Sequence, residues 1–521
     1  MNKKIICAVV MVFLFSGFSP ITGVLSDEKI PVMTEHPPSQ DHWSMFRHDP
    51  SHTGFTNSLG PDTPQILWKV ETPTGLLRSS PAVVDNKLYI GDAIALEPLW
   101  GYALCLNTEN GSIYWSSYSG GVGSSLAVDT TMVFLKNYYG DVLSFDTNFG
   151  YFYWAYQIGH GGNFFLSSPT LLNSRLFIGG EDGYIYCLNT SSLLHPQMLW
   201  RNKTNGRIVS SPAVTQNKVF IGSCDGNVYC LNASDGTREW MFHTRDEIWS
   251  SPAVVNNVVY IGSNDGYIYG IPAIDPNSDG IITETELTFK QRTRGPIRSS
   301  PAVVFGKIVV GSDDGNLYCL NSTTGDILWV FPTGDQIWSS PAITADGKTY
   351  VGSRDHNIYC VDLQVGQLVW SYQTNGPIYS SPTIVEGKLF VGADYDGIYC
   401  FEGNNPPYTP SNPSPPDCSG HVNVYANLSW TGGDPDQDNR VTYTVYFKMR
   451  STQFTNEDII AENKTTTTIH PGTYLPGGHM QGNVKYFWKI VAYDNHGLRT
   501  DGPIWSFKTA YAYASVHLIS D

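Results

Sequence analysis

Charged residues are scarce in this sequence. They make up 15% of its 521 residues, and acidic side chains outnumber basic ones to give a formal net charge of −16. This balance excludes a nucleic-acid partner, because a phosphate backbone requires a basic face. Beyond the N-terminus, no apolar run reaches the ~18 residues that a membrane-spanning helix needs. We therefore expect no transmembrane segment.

Catalytic signatures are missing as well. The sequence contains no G-x-S-x-G, no H-E-x-x-H, no phosphate-binding loop, no C-x-x-C-H and no pair of adjacent cysteines. The familiar hydrolase, metalloprotease, nucleotide-binding and haem chemistries therefore have no support in the sequence. Dispersed His and Asp side chains could still form a hydrolase or lyase site, so enzymatic activity stays open and a non-enzymatic role is favoured.

The first 26 residues have the outline of a secretory signal peptide. Lys3 and Lys4 precede an apolar run, and small residues follow it. Cys7 lies inside the apolar run instead of after it, so the lipobox of a lipoprotein is missing. We predict a signal peptide over residues 1–26 and a mature protein that is secreted or held at the cell surface.

What the sequence has in abundance is glycine, tyrosine and tryptophan, which favour short strands and tight turns. One phrase, typified by "SSPAVV", occurs eight times, and its serine pair begins at Ser79, Ser124, Ser167, Ser210, Ser250, Ser299, Ser339 and Ser380. The steps are 40 to 49 residues, and four-stranded repeats with a period of about 40–45 residues are typical of propeller blades. The sequence predicts an all-β chain with an eight-bladed β-propeller.

Five repeats share an outer corner in which an Asx residue is followed four residues later by Gly and, after four more, by Trp. Asn321, Gly325 and Trp329 are one example. The Asx side chain closes the turn, Gly accepts a positive φ, and Trp is expected to pack between neighbouring blades. Trp68 precedes the first serine pair and no Trp follows the last repeat, so an N-terminal strand is predicted to complete the eighth blade.

The cysteines follow the repeat. One position of the third strand has a cysteine in six repeats and Ser144 or Gly270 in the other two; the cysteines are Cys105, Cys187, Cys230, Cys319, Cys360 and Cys400. A small residue buried between blades accounts for all eight positions, so we predict free thiols instead of disulfides. Cys224 and Cys418 have no predicted partner.

Repeats such as "VVGSDDGNLYCLNSTTGDILW" resemble the pyrroloquinoline quinone (PQQ)-type β-propeller repeat, and "HWSMFRHDPSHTGFTNS" resembles the lead-in of such proteins. The resemblance implies a propeller, placed at residues 36–403, but no single function, because this fold carries dehydrogenases, outer-membrane assembly subunits and binding proteins. The quinoprotein enzymes of the family stack their quinone on a disulfide between adjacent cysteines. This chain lacks such a pair, so PQQ is not expected as a cofactor.

The fifth repeat contains "DPNSDGIITETE", residues 275–286, which matches the calcium-loop pattern D-x-[DN]-x-[DN]-G-x5-E. The predicted ligands of Ca2+ are the side chains of Asp275, Asn277, Asp279 and Glu286, the carbonyl of Ile281, and Thr283 directly or through water. No helices flank the loop, so we predict that the ion is structural and braces an enlarged blade corner. A polar loop without metal is the alternative.

The residue before each serine pair is expected to lie near the propeller axis. The larger of these residues, which we predict to bind a ligand, are Arg78, Trp249, Arg298, Trp338 and Tyr379, and the smaller ones are Gly123, Leu166 and Val209. Turn aspartates such as Asp314 are expected on the same face. Aromatic planes, arginines and carboxylates suit a peptide, a sugar or a cationic ligand. Packing between blades is the alternative explanation.

Residues 404–417 form a proline-rich linker. Beyond it, residues 418–511 alternate between apolar and polar side chains, and "YFWKIVAYDNHG" resembles the late strand of fibronectin type III domains. We predict an immunoglobulin-like, fibronectin type III-like β-sandwich over residues 418–511.

These features predict an exported, non-enzymatic binding or scaffolding protein at the cell surface or outside the cell. Its partner is a protein or a carbohydrate at the propeller face, and its oligomeric state is left open. The alternative is a quinoprotein-like oxidoreductase or a polysaccharide-acting enzyme that uses the propeller funnel. A propeller lipoprotein of outer-membrane β-barrel assembly is a third hypothesis, which the missing lipobox and the additional C-terminal domain weaken.

Overall fold

The computed structural model describes residues 42–72, 75–93, 100–159, 167–215, 217–403, 407–434, 440–494 and 498–511. The predicted signal peptide lies outside the described residues. The described part is almost entirely β-structure, with two short 3₁₀ helices at Asn456–Asp458 and Pro471–Tyr474. None of its helices has the length and apolar character needed to cross a membrane.

The chain begins with two strands outside the repeats, β1 (Phe55–Thr56) and β2 (Ile66–Val70). Seven sheets follow, each built on four antiparallel strands in chain order, and the fourth and the seventh also have a fifth strand that pairs parallel to its neighbour. The first two sheets contain β3 (Ala82–Val84), β4 (Lys87–Gly91), β5 (Tyr102–Asn107) and β6 (Ile113–Tyr118), then β7 (Ala127–Val128), β8 (Met132–Lys136), β9 (Asp141–Asp146) and β10 (Phe152–Gln157). The next two contain β11 (Thr170–Leu172), β12 (Arg175–Gly179), β13 (Tyr184–Asn189) and β14 (Gln197–Lys203), then β15 (Ala213–Val214), β16 (Lys218–Gly222), β17 (Asn227–Asn232) and β18 (Arg238–His243).

The fifth sheet is interrupted by an additional strand. It contains β19 (Ala253–Val255), β20 (Val258–Gly262), β21 (Tyr267–Pro272) and β23 (Phe289–Arg292), and the intervening β22 (Ile281–Ile282) pairs elsewhere. The sixth and seventh sheets contain β24 (Ala302–Val304), β25 (Lys307–Gly311), β26 (Asn316–Asn321) and β27 (Ile327–Pro332), then β28 (Ala342–Thr344), β29 (Lys348–Gly352), β30 (Asn357–Asp362) and β31 (Leu368–Gln373).

The eighth sheet takes three strands from the last repeat, and these are β32 (Thr383–Val385), β33 (Lys388–Ala393) and β34 (Gly397–Glu402). Its fourth strand is β2, which pairs antiparallel with β34 and sets Trp68 opposite Cys400. The N-terminal strand therefore completes the last sheet, as predicted. Main-chain hydrogen bonds join the start and the end of this region.

The second serine of each repeated pair links its sheet to the next one. The main-chain N–H of each donates to the Oγ of its successor at 2.8 to 3.0 Å, through Ser80, Ser125, Ser168, Ser211, Ser251, Ser300, Ser340 and Ser381, and Ser381 donates to Ser80. All eight residues are buried. These serines, called the serine ring below, join the eight sheets in one closed cycle.

The serine ring is expected to be sensitive to loss of a single hydroxyl. Ser211→Ala removes the acceptor of the Ser168 N–H and leaves that donor buried and unsatisfied, so the free energy of unfolding should fall by about 1–3 kcal/mol. Chemical denaturation measures this loss. Ser116→Ala, at an exposed position of β6, is the matched control and should change the free energy by less than about 0.5 kcal/mol. Equal effects of the two substitutions would contradict the role of the ring.

The outer strands explain the distribution of cysteine and tryptophan. Each small residue of the third strand lies opposite a tryptophan of the outer strand, in the pairs Cys105–Trp115, Ser144–Trp154, Cys187–Trp200, Cys230–Trp240, Cys319–Trp329, Cys360–Trp370 and Cys400–Trp68. In the fifth sheet Gly270 lies opposite Phe289. The six cysteines are buried and free, as predicted.

The tryptophans also contact the neighbouring sheet. The indole of Trp115 donates to the carbonyl of Thr147 in the second sheet at 3.2 Å. Gly150 of that sheet has a φ of +69°, and an added Cβ would lie 2.6 Å from the Trp115 ring. Glycine is therefore required at this corner both by its backbone conformation and by the close approach of the ring.

The segment before β2 runs across the innermost strands and is called the axial segment (residues 43–58). Its main-chain atoms or side chains hydrogen-bond to one residue of each sheet in turn, namely Val83, Val128, Thr170, Val214, Val254, Val303, Ile343 and Gly387. Arg47, buried within it, donates to the carbonyl oxygens of Pro301, at 3.0 Å, and Pro341. The axial segment therefore holds all eight sheets together.

Residues 407–511 form two further sheets. Their strands are β35 (Ser411–Ser414), β36 (Ser419–Val422), β37 (Leu428–Thr431), β38 (Thr442–Met449), β39 (Ile459–Lys464), β40 (Thr468–Ile469), β41 (Lys485–Tyr493), β42 (Arg499–Asp501) and β43 (Trp505–Thr509). One sheet contains β35, β37 and β40, and the other contains the remaining six. Trp430 of the first sheet and Trp488 of the second are buried with their ring centroids 6.5 Å apart, so this core lies between the sheets.

Candidate ligand site

The centre of the serine ring opens into a cavity of about 100 Å3. Its lining includes all five residues that the sequence predicted as a ligand site, Arg78, Trp249, Arg298, Trp338 and Tyr379, together with Phe46 of the axial segment. Gly123 and Val209 line the cavity as well. Leu166 lies outside the described residues. The seven described residues that precede a serine pair therefore converge on one cavity, which has large and small side chains in the same lining.

The large side chains around the cavity contact one another, with guanidinium groups lying over aromatic rings. The Arg298 Cζ lies 5.1 Å from the ring centroid of Trp249 and 4.7 Å from that of Trp338. Arg78 lies 4.9 Å from the centroid of Tyr379. The Trp338 and Tyr379 rings meet edge to face at 5.5 Å. Cation–π and edge-to-face contacts hold these side chains in fixed orientations.

Two arginines that the sequence analysis missed extend this arrangement. Arg207 lies 5.4 Å from the ring centroid of Trp249, and Arg354 lies 5.1 Å from that of Trp338 and 5.8 Å from that of Tyr379. We call Arg78, Arg207, Arg298, Arg354 and the three rings between them the arginine–aromatic wall.

Arg354 could have been found from the turns between the second and third strands. It immediately precedes the turn aspartate Asp355, at a position that varies among repeats while the aspartate is repeated. The corresponding residues in four other repeats are Glu181, Cys224, Asn264 and Asp313. Variation at one position of an otherwise constant turn indicates a residue that the turn itself does not require.

Carboxylates balance part of the positive charge of the arginine–aromatic wall. Asp313 pairs with Arg298, Asp394 pairs with Arg78 at 3.4 Å, and Glu247 pairs with Arg207 at 3.6 Å. Burial raises the pKa of Asp313 and Asp394, and the attraction of the neighbouring guanidinium opposes this shift. Removing Arg78 or Arg298 would therefore leave a buried carboxylate without its counter-charge.

The repeated turn aspartates have a different role. Each accepts a hydrogen bond from the hydroxyl of a tyrosine four residues later, in the pairs Asp182–Tyr186, Asp225–Tyr229, Asp265–Tyr269, Asp314–Tyr318 and Asp355–Tyr359. Burial and the Asp314 carboxylate raise the pKa of Tyr318 to about 12. These aspartates are absent from the described lining of the cavity. Hydrogen bonding within and beside the turn therefore accounts for these aspartates, and the expectation that they lie at the ligand site is not met for these five.

The predicted calcium loop folds around its own carboxylates. Asp275 accepts a hydrogen bond from the Gly280 N–H at 2.7 Å, and Asn277 Nδ2 donates to Glu286 Oε1 at 2.9 Å. Thr283 donates to Glu286 Oε2 through its N–H at 2.8 Å and through its hydroxyl at 2.7 Å. Among the described residues no three His, Cys, Asp or Glu side chains lie close enough together to hold a metal.

The strand within this loop pairs with a different sheet. β22, which contains the predicted carbonyl ligand Ile281, lies parallel to β18, with Met241 opposite Ile281 and Phe242 opposite Ile282. Ile282 is buried. The long corner of the fifth sheet therefore adds a fifth strand to the outer edge of the fourth sheet.

The sequence and the fold resemble known proteins over this region. The model of a family described as outer membrane protein assembly factor BamB matches residues 56–192 and 332–405. No curated protein sequence matches the chain. BamB from Moraxella catarrhalis is 18% identical with a TM-score of 0.51, over 64% of this chain and 96% of its own.

Two solved dehydrogenases resemble it as well. Quinohemoprotein alcohol dehydrogenase from Comamonas testosteroni is 11% identical with a TM-score of 0.57, over 70% of this chain and 81% of its own. A europium-containing methanol dehydrogenase is 13% identical with a TM-score of 0.56, over 68% and 90%. At these identities the likeness concerns the fold, and the repeat region is a PQQ-like β-propeller.

Proposed function

We propose that the protein is an exported, non-enzymatic binding protein whose propeller cavity receives part of a protein partner. The observation that carries this proposal is the arginine–aromatic wall, which brings charged and aromatic side chains together where solvent reaches them. Trp249, Trp338 and Tyr379 are each partly exposed. Large aromatic side chains and arginines are the residues that most often dominate the energy of protein interfaces.

The relatives support a protein partner and export. The matched family is described as an assembly factor for outer membrane proteins, which is a role among other proteins and outside the cytoplasm. The signal-like residues 1–26 agree with export, to the cell surface or beyond it. A carbohydrate partner has no such support, and it is not part of the proposal.

The proposed architecture is a closed eight-bladed propeller followed by a fibronectin type III-like sandwich. The cyclic hydrogen bonding of the serine ring and the completion of the eighth sheet by β2 support the eight-bladed ring. The core between the two C-terminal sheets supports a sandwich. In this arrangement the C-terminal part acts as a spacer or a second contact surface.

A photocrosslinker tests the binding role directly. Benzoylphenylalanine in place of Tyr379, at the cavity, should crosslink a defined protein in the cells that produce this chain. The same group in place of Tyr114, exposed on the outer strand β6, is the matched control. One protein captured at the cavity and not at the outer strand is the expected result, and no cavity-specific product would contradict the proposal.

Calcium is proposed as a structural ion of the loop at residues 275–286. The spacing of Asp275, Asn277, Asp279 and Glu286, and the hydrogen bonds that fold the loop around them, support this assignment. The ion would stiffen the loop and thereby hold β22 against β18. Its role would be to stabilise the junction of the fourth and fifth sheets, without a switch.

The calcium proposal makes a quantitative prediction. Calcium at a hundredfold excess over its dissociation constant should stabilise the protein by about 2.7 kcal/mol relative to EDTA, and native mass spectra should show one bound ion. Asp279→Ala should abolish both effects. Asp235→Ala, at an exposed turn of the fourth sheet, should leave them intact. The same melting temperature in calcium and in EDTA would contradict the assignment.

A quinoprotein-like oxidoreductase is the second candidate, and the fold shared with the two dehydrogenases favours it. The cavity of about 100 Å3 is small for this role, because pockets for cofactor-sized ligands measure about 300–1,000 Å3. Native mass spectrometry with added PQQ separates the candidates. If each chain retained one quinone, with the absorbance of that quinone, we would assign an oxidoreductase function in place of the binding function.

A further inference from the structure

We propose that the cavity recognises a carboxylate group of its protein partner, and that Arg354 determines this specificity. The inference rests on the proposed binding function and adds the chemistry of the ligand. It starts from the different partners of the four arginines in the arginine–aromatic wall.

Arg354 differs from the other three arginines in its acceptor. Arg78, Arg207 and Arg298 each contact a carboxylate. Arg354 donates instead to the neutral amide oxygen of Gln336. Among the described residues its guanidinium has no carboxylate within ion-pair distance. Arg354 lies over the rings of Trp338 and Tyr379, which line the cavity, so its charge is available to an anion that binds against these rings.

Two N–H groups of the arginine–aromatic wall also have no hydrogen-bond acceptor among the described residues. The Nε–H groups of Arg298 and Arg354 are buried, and the described residues provide neither with a hydrogen-bond acceptor. A buried donor without an acceptor lowers stability, and a ligand that accepts a hydrogen bond from it would remove that cost. A carboxylate fits this need, because its two oxygens can accept hydrogen bonds from a guanidinium in a bidentate manner.

The rest of the cavity sets the size of the ligand. Each Oγ of the serine ring accepts a main-chain N–H, so its hydroxyl hydrogen can be donated into the cavity. Gly123 and Val209 leave room where bulky side chains would fill it. A volume of about 100 Å3 accommodates a short acidic group and not a folded surface. The ligand is therefore an acidic side chain or a C-terminal carboxylate that projects from the partner.

Short peptides distinguish these two sources. The probe is an acetylated and amidated octapeptide of glycine and serine with one central glutamate. Its glutamine counterpart removes the charge, and the same glutamine peptide with a free C-terminus presents only a terminal carboxylate. Binding is measured by calorimetry and by saturation-transfer NMR. We expect one of the two acidic forms to bind about tenfold or more tightly than the neutral form.

The protein variants test the role of Arg354. Arg354→Gln should weaken binding of the acidic peptide by about tenfold or more, while Arg354→Lys should retain part of it. Arg201→Gln is the matched control, because Arg201 also lies over an aromatic ring, 4.6 Å from the Tyr184 centroid, but on an outer strand. It should bind like the original protein. The double variant Arg298→Gln/Asp313→Asn, which removes a charge pair together, should also weaken binding.

Two outcomes would overturn the inference. One is equal binding, or no binding, of the acidic and neutral peptides. The other is an Arg354→Gln variant that is folded by circular dichroism and binds the acidic peptide unchanged. Either result leaves the crosslinking experiment at Tyr379 as an independent test of the binding function. A cavity-specific crosslink together with these results would mean that the partner is recognised without a carboxylate.

Discussion

Replacing Arg47 by alanine is expected to lower the free energy of unfolding by about 3–5 kcal/mol. The side chain is 1% exposed and donates to the carbonyl oxygens of Pro301 and Pro341, in the sixth and seventh sheets. Burial disfavours the charged form of the guanidinium and lowers its pKa to about 9. Alanine would leave both carbonyls unsatisfied and a cavity behind them. Denaturant unfolding, followed by tryptophan fluorescence, measures the loss.

Matched substitutions identify the cause. Arg47→Lys keeps a charge but cannot place two donors in a rigid fork, so it should recover only part of the stability. Arg201→Ala, at an exposed position of β14, should change the free energy of unfolding by less than about 0.5 kcal/mol. If Arg47→Ala is no worse than Arg201→Ala, the axial segment does not hold the sheets together as described.

Acid is expected to destabilise the protein through His52. This side chain is fully buried, and burial lowers its pKa from 6.5 to about 4. Thr170 Oγ1 donates to the carbonyl of Pro212, so His52 Nε2, at 3.1 Å, is the donor to Thr170. With its lowered pKa the ring is neutral at pH 7. The unfolded chain binds a proton more readily. Stability is therefore complete above pH 6.5 and decreases as the pH falls towards 4, by about 3 kcal/mol in total.

The contribution of His52 is obtained by difference, because other groups also titrate in this range. The free energy of unfolding of the original protein and of His52→Gln should converge as the pH is lowered from 6.5 to 4. His195→Gln, at an exposed position, should follow the original protein throughout. Parallel curves for the original protein and His52→Gln would show that protonation of this imidazole is not linked to unfolding.

The repeated features of the molecule could be predicted because each is specified many times. The serine pairs, the Asx–Gly–Trp corners and the cysteine position recur at a fixed period, and Trp68 indicated how the last sheet is completed. The same register identified five lining residues of the cavity, since the residue before the serine pair lines it in each of the seven repeats where that residue is described. A residue that belongs to the repeat therefore lies in the fold where its position in the repeat predicts.

Features that occur once could not be predicted in this way. The axial segment has no periodicity, and its hydrogen bonds depend on strands from all eight sheets. Arg207 reaches the arginine–aromatic wall from a position outside the predicted register. β22 pairs with the neighbouring sheet instead of its own. In each case the partner is distant in sequence, so only the assembled fold determines the contact.

The axial segment has a consequence for the order in which the molecule is assembled. It is synthesised first, yet Arg47 bonds to Pro341, 294 residues later, and Ser58 accepts from Gly387, 329 residues later. β2 likewise cannot pair with β34 until β34 has been synthesised. Contacts of such long sequence separation slow folding, because the loop must close before they form. A nascent chain that lacks the last repeat therefore has an N-terminus without its partners, and folding is expected to be completed only after synthesis has passed residue 402.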